Sequence, residues 1–239
     1  MESQPLVGIL NLNKPPGLSS ARAVSRVKRL LPRSTKIGHA GTLDPFATGV
    51  LLLLIGKATR LCESLMDQPK QYEATVRLGG TTATDDPESP EIPTPDVQPV
   101  SAAQLESALQ NFVGEILQRP PAFSAMKVGG RRAYDLARKG QTVELKARLV
   151  RVYGIETLDY AWPLARLRID CGRGTYVRAI ARDLGRSLGT GGYLTALCRT
   201  AIGPFRIDGA ASLETLTPET IQSRTVQPPN LVRDGPMTR

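Results

Sequence analysis

The segment Gly38-His39-Ala40-Gly41-Thr42-Leu43-Asp44-Pro45-Phe46-Ala47-Thr48-Gly49-Val50-Leu51 carries the single histidine of the chain and an aspartate followed by proline. Proline disfavours the helical region for the residue before it, so Asp44 is expected in an extended conformation with its carboxylate at a fixed angle. Gly38, Gly41 and Gly49 let the backbone turn tightly or approach a ligand closely. A carboxylate held this way can serve as nucleophile or general base, and a nearby arginine would keep it ionised. The other candidates for chemistry are His39, Tyr72 on the apolar side of an alternating segment, and Arg178, where a glycine-rich strand end meets a helix. No P-loop, no dinucleotide GxGxxG and no serine-histidine-aspartate order is present.

These residues need elements to position them. Val50 to Ile55 is six apolar residues in a row, short for a helix and β-branched at both ends, which predicts a buried strand anchoring the Asp44 loop. Leu6 to Leu12 reads as a strand leading into the turn Asn13-Lys14-Pro15-Pro16-Gly17. Ser20 is expected to cap a helix running to about Leu31, with Val24, Val27 and Leu31 on one face and Arg22, Arg26 and Arg29 forming a basic rim. Tyr72, Ala74, Val76 and Leu78 alternate with Glu73, Thr75 and Arg77, a half-buried strand that puts Tyr72 on the core side.

Residues 81 to 100 hold five prolines and five acidic residues with no lysine or arginine, which predicts an exposed connection away from any binding surface. Ser101 with Gln104 is a capping-box pattern opening a helix with Leu105, Ala108, Leu109 and Phe112 on one face. Val143, Leu145, Ala147 and Leu149 alternate before the phase shifts to Val150 and Val152, which predicts a bulge near 149–150. Leu167, Ile169 and Cys171 lead into Gly172-Arg173-Gly174-Thr175-Tyr176-Val177-Arg178 and a helix that buries Val177, Ile180, Ala181, Leu184 and Leu188. From Thr217 onward the chain reads as a polar tail with room for a short strand.

At 239 residues the chain can form one large domain or a domain with an insertion. Its net charge of +9 favours a polyanionic partner, because neutralising phosphates releases counterions. Between 119 and 148, eight basic residues face two acidic ones, interleaved with Phe123, Met126 and Tyr134, as on a nucleic-acid contact surface. Cys62, Cys171 and Cys198 are odd in number and widely spaced, which argues against both a disulfide scaffold and a zinc site. No apolar run reaches the ~20 residues of a membrane span and no secretory signal is visible, so a cytoplasmic location is expected.

At this point the chain resembles the bacterial tRNA pseudouridine-55 synthases, the TruB family. Asn13-Lys14-Pro15-Pro16-Gly17 is similar to the family's KPxG motif, and Gly38-His39 through Gly49 to its GHxGxLDPxAxG motif. Lys70-Gln71-Tyr72-Glu73 resembles its K-x-Y segment, and residues 120–134 resemble its tRNA-contacting insertion. Gly174-Thr175-Tyr176-Val177-Arg178 and Leu197-Cys198-Arg199-Thr200 match the last two motifs.

The resemblance implies an α+β pseudouridine synthase fold with a largely antiparallel central sheet, flanking helices and an RNA-binding thumb inserted at about 119–148. The catalytic domain is expected over 1–216, with 217–239 a short tail and no full PUA domain. The implied reaction converts uridine to pseudouridine in the T-loop of tRNA, with no metal or other cofactor. By the same resemblance Asp44 is the essential aspartate, Arg178 its salt-bridge partner where the two segments meet, and Tyr72 the ring that packs on the target base. His39 enters the T-loop to hold the nucleotide flipped, a task suited to a neutral imidazole. Leu197 lines the uracil pocket and Lys14 supports the site, while Tyr176, Lys127, Arg131, Arg132 and Arg199 complete the substrate and RNA contacts. Phe123 and Met126 stand where many relatives carry tyrosine and leucine. The expected partner is the T-arm of tRNA, met by a monomer with no guide RNA, membrane or obligate protein partner. Two other readings are a tRNA-folding chaperone and an aspartate-based RNA glycosidase that would release free uracil.

Overall fold

A computed structural model describes residues 6–124, 126–128, 131–132 and 145–227 of the chain. It opens with strand β1 (Gly8–Lys14), helix α1 (Ser20–Lys28), strands β2 (Ile37–Ala40) and β3 (Thr48–Ile55), and helix α2 (Cys62–Asp67). β3 pairs antiparallel with both β1 and β2, placing Leu51 opposite Leu12 and Leu53 opposite His39. Its two faces are both covered. Leu51, Leu53 and Ile55 pack with Leu10, Leu12 and the Ala23 and Val27 face of α1, while Val50, Leu52 and Leu54 pack with Ile9, Ala40, Leu65 and Ile202. Burial on both sides is why this strand is a continuous apolar run with no alternation.

The cap of α1 lies one residue earlier than expected. Ser19, in an extended conformation, accepts the Arg22 amide, and this frees the Ser20 hydroxyl for other bonds. The helix ends at Lys28, short of Leu31. Leu30 and Leu31 then bond back three residues in a tightened last turn before Pro32, and the Lys28 ammonium donates to the carbonyls of Arg33 and Thr35.

The chain continues through β4 (Lys70–Leu78), β5 (Gly80–Thr82), β6 (Glu91–Pro93), α3 (Ala102–Gln110), β7 (Gly114–Gln118), β8 (Lys127–Val128) and β9 (Arg131–Arg132). β10 (Arg148–Ala161), β11 (Leu164–Cys171), α4 (Val177–Ser187) and β12 (Gly192–Ile202) follow, then β13 (Phe205–Arg206), β14 (Ala211–Ser212), α5 (Pro218–Arg224) and β15 (Thr225–Val226). The fold is mixed α/β with mostly antiparallel sheet, and β1 with β14 forms the parallel pairing.

The described chain divides into two compact units. One holds the residues up to Gln68 together with those from Arg199 onward, and the other holds Pro69–Cys198. In the second unit β4 pairs with β11, β11 with β10 and β10 with β7. β4 alternates as expected, burying Tyr72, Ala74, Val76 and Leu78, and the capping box of Ser101 and Gln104 opens α3. In the first unit the segment read as a tail folds into the core. Ile221 of α5 is fully buried there, and β15 pairs with β1.

Two expectations are corrected. The β7–β10 register runs unbroken from Arg148 to Val152, and the register shifts lie further along, between Val152 and Gly154 and between Thr157 and Asp159. The change of phase seen in the sequence marks the start of the strand: Leu149 is exposed on it, while Val150 and Val152 are buried. Residues 81–100 are not uniformly an exposed connection either, because Thr82, Thr84 and Asp86 are buried. Tyr134, Arg138, Lys139 and Val143 of the expected thumb and strand lie outside the described residues.

Candidate active site

The Asp44 loop joins β2 to β3 and is held at nearly every peptide. Ser20 Oγ accepts the Leu43 amide at 2.9 Å and donates to the Leu43 carbonyl at 3.0 Å. Asp44 accepts the Ala47 amide through its own carbonyl, and Pro45 accepts both the Gly17 amide at 2.8 Å and the Lys14 ammonium at 3.2 Å. Leu43 and Ala47 are buried, so they anchor the loop on either side of Asp44. All these bonds use main-chain atoms of the loop, so they fix its path without engaging the Asp44 carboxylate.

Lys14 is completely buried, and its ammonium also donates to Leu18 and Pro15 at 2.7 and 2.8 Å. Three carbonyls replace the water that a buried ammonium loses. Its place is beneath the turn, as a support. Arg199 has a similar place. Expected among the RNA contacts, it is 1% exposed, and its guanidinium donates to the carbonyls of Val50, Thr42 and Gly41. A five-donor fork among main-chain acceptors braces the loop from β12. Gly49 explains how closely the chains approach: at φ +101°, a side chain there would meet the Arg199 carbonyl at 2.3 Å.

His39 lies on β2, half-buried, just before this loop. Burial pushes its pKa below the usual 6.5 and the Arg199 charge adds to that, outweighing a hydrogen bond with the Gly41 backbone that acts in the other direction. Near neutral pH the ring is therefore uncharged.

In the second unit Arg178 stands in the first turn of α4, almost fully buried. Its guanidinium donates to Asp86 Oδ2 and the Thr84 carbonyl, each at 3.0 Å, and to the Phe123 carbonyl at 2.9 Å. Asp86 is held in turn: Thr84 Oγ1 and the Glu88 amide donate to its carboxylate, and Thr82 Oγ1 bonds both its amide and its carbonyl. One helical turn on, Arg182 bonds Asp85, Asp183 and the Arg119 carbonyl. Burial pushes the Asp85 carboxyl up in pKa, opposed by the Arg182 charge. The two arginines thus tie the 82–88 turn and the root of the insertion to one helix face.

Tyr176 is fixed beside them by a two-way bond with Gln118: its amide donates to Oε1 at 2.8 Å, and its carbonyl accepts from Nε2 at 3.1 Å. The Arg148 guanidinium lies over its ring at 5.1 Å. Tyr72 and Leu197 are buried on β4 and β12. The backbones of Lys127 and Arg132 pair across β8 and β9, placing Lys127, Arg131 and Arg132 on one short hairpin.

Lys14, His39, Asp44 and Arg199 therefore gather around one loop of the first unit, and Tyr72, Tyr176, Arg178 and Leu197 belong to the second. Ser20, Thr84, Asp86 and Gln118 were not foreseen. The signal for Asp86 was the run Thr81-Thr82-Ala83-Thr84-Asp85-Asp86, short hydrogen-bonding side chains ahead of an acidic pair, which averaging over a proline-rich window concealed. Among the described residues, no three His, Cys, Asp or Glu side chains are grouped as they would be around a metal ion.

Comparison with known proteins decides the family. Residues 28–177 match the TruB family pseudouridylate synthase N-terminal domain, a span that includes the Asp44 loop and reaches the start of α4. The chain belongs to the TruB family. It is 47% identical over 222 residues to a tRNA pseudouridine synthase B of Cupriavidus pinatubonensis, covering 91% of this chain and 69% of that one. It is also 47% identical to the tRNA pseudouridine synthase B of Dehalococcoides mccartyi, covering 87% of this chain and 69% of the relative. Among solved structures, a Cbf5-Nop10-Gar1 complex gives a TM-score of 0.67 at 32% identity over 87% of this chain. An H/ACA RNP bound to a substrate RNA containing 2'-deoxyuridine gives 0.65 at 29% identity, again over 87% of this chain. The TruB family chain spans about half the length of those two solved proteins, 53% and 52%.

Proposed function

We propose that this TruB family member isomerises uridine to pseudouridine in tRNA, at position 55 of the T-loop, with Asp44, Tyr72 and Arg178 as its catalytic residues. The reaction breaks the N1–C1′ glycosidic bond, turns the base and joins C5 to C1′; N1 gains a proton and C5 loses one. It needs no change of oxidation state and no incoming group. Its demands are a carboxylate fixed against the nucleotide, a flat surface for the base and a means of holding it outside the stack.

The observation that carries the reading is the Asp44 loop, fastened through its main chain by Lys14, Gly17, Ser20 and Arg199. So many restraints on one short loop preorganise a side chain for chemistry. Asp44 would act on the ribose or the base, Tyr72 would support the uracil ring, and Arg178, held by Asp86, would supply fixed positive charge. Neutral His39 would take the place of the flipped nucleotide in the T-loop, while Leu197 would line the uracil pocket. Lys127, Arg131, Arg132 and Tyr176 would contact the RNA.

The test is tritium release from a T-arm stem-loop labelled at uracil C5, with the wild type beside Asp44→Ala. Release by the wild type alone, with RNA binding retained by the variant, is the expected result. Equal release by both removes Asp44 from the chemistry. Free uracil would indicate a glycosidase instead, and binding without release on full tRNA would favour the tRNA-folding reading.

A further inference from the structure

We propose that the outer face of α1 is an RNA-binding surface in its own right, taking the phosphodiester backbone of the substrate tRNA through Arg22, Arg26 and Arg29. The inference rests on the tRNA reading above, and it assigns a basic face that the proposed catalytic residues do not use.

Between Ser3 and Leu43 the chain has no aspartate or glutamate and seven basic residues: Lys14, Arg22, Arg26, Lys28, Arg29, Arg33 and Lys36. The Lys14 and Lys28 ammonium groups are occupied by main-chain carbonyls. The other five are exposed, and among the described residues none lies within ion-pair distance of a carboxylate. Arg22, Arg26 and Arg29 recur at intervals of four and three, one stripe about 10 Å long on the helix axis. The opposite side, with Ser20, Ala23 and Val27, is buried in the core, so the stripe faces outward.

The helix dipole favours Arg26 in the last turn but opposes the head of the row. Arg22 sits in the first turn, where the helix dipole favours a negative charge and no acidic residue is present. It is also four residues from Arg26, a like-charge spacing that destabilises an isolated helix. A solvated surface gains nothing from Arg22 at the head of such a row, whereas a strand of phosphates, with a charge every few ångströms, matches all three. Three arginines on the second unit's strands differ: Arg77 pairs with Glu91 at 2.8 Å, Arg166 with Glu73 at 3.6 Å and Arg168 with Glu156 at 2.7 Å. Those cations already have anions. An anionic membrane is a poorer match, because the apolar side of α1 is spent on the core and cannot enter a bilayer.

The experiment measures tRNA affinity against salt for the wild type, for Arg22→Gln/Arg26→Gln/Arg29→Gln, for the same three positions changed to lysine, and for Arg77→Gln/Arg166→Gln/Arg168→Gln. Tritium release is followed in parallel. The α1 glutamine variant is expected to bind more weakly, with the slope of log Kd on log salt shallower by about 2, and to raise KM with little change in kcat. The lysine variant should restore the slope and the second-unit variant should keep it. Melting temperatures are expected to stay at or above that of the wild type, since like-charge repulsion is relieved. An unchanged slope in the α1 glutamine variant, or an equal loss in the second-unit variant, overturns the proposal. If the wild type releases no tritium while the slope still falls, the RNA surface stands and the isomerase reading falls alone.

Discussion

In the first unit the buried cations Lys14 and Arg199 donate hydrogen bonds to main-chain carbonyls, whereas in the second unit Arg178 and Arg182 meet the carboxylates of Asp86 and Asp85. The two solutions do different things. A cation on carbonyls holds a backbone path and keeps its charge, which still acts on its neighbours: the Arg199 charge helps to depress the His39 pKa. A cation on a carboxylate is fixed in direction by its partner. The first arrangement suits a loop that must present an aspartate, the second an arginine that must stand still inside a helix turn.

The contrast is broken most directly at Asp86. Asp86→Ala removes a carboxylate that the buried Arg178 guanidinium bonds at 3.0 Å, and removing one partner of a buried pair costs about 3–5 kcal/mol. Urea unfolding should show a loss of that order, and a loss below about 1 kcal/mol would mean that water takes the place of the carboxylate. Lys14→Met should cost less, about 2–3 kcal/mol, because the carbonyls of Pro15, Leu18 and Pro45 lose a donor. Its tritium release should fall further than its stability suggests, since Pro45 loses a tether next to Asp44. Turnover equal to wild type would show that the loop holds its shape without Lys14.

The smallest expected effect is on pH dependence. The His39 pKa is lowered in the folded protein, so above pH 6.5 both folded and unfolded chains carry neutral rings and nothing is lost. As pH falls below 6.5 the unfolded chain takes up the proton first, and stability declines until the folded ring titrates as well. The slope from this one group cannot exceed about 1.4 kcal/mol per pH unit. Wild type should therefore lose more stability than His39→Gln between pH 7.5 and 5.5. Parallel curves would show that neither burial nor the Arg199 charge reaches the ring.

Much of this was legible in local pattern. The apolar run of β3, the alternation of β4, the capping box of α3 and the Gly172–Arg178 junction each follow from periodicity or from a single turn of backbone, and the structure forms them where the sequence indicates. Misread features were those whose environment comes from far along the chain. Arg199 looks like any other basic residue until β12 lays it against Gly41 and Val50, some 150 residues earlier. Asp86 looks like part of an exposed acidic loop until Arg178, 92 residues later, turns toward it.

By itself the sequence determined the elements with strong periodicity or caps, the family through its ordered motifs, and Asp44 as the residue to test, because those depend on residue type and short spacing. Only the tertiary structure decided that Lys14 and Arg199 are internal braces, that Arg178 is held by Asp86, and that, among the described residues, the α1 arginines have no carboxylate within ion-pair distance while Arg77, Arg166 and Arg168 of the second unit do. The physical reason is that the role of a charge is set by what surrounds it. Burial removes water from an ionic group and forces it to take whatever acceptor the folded chain brings near, and no local pattern names that acceptor.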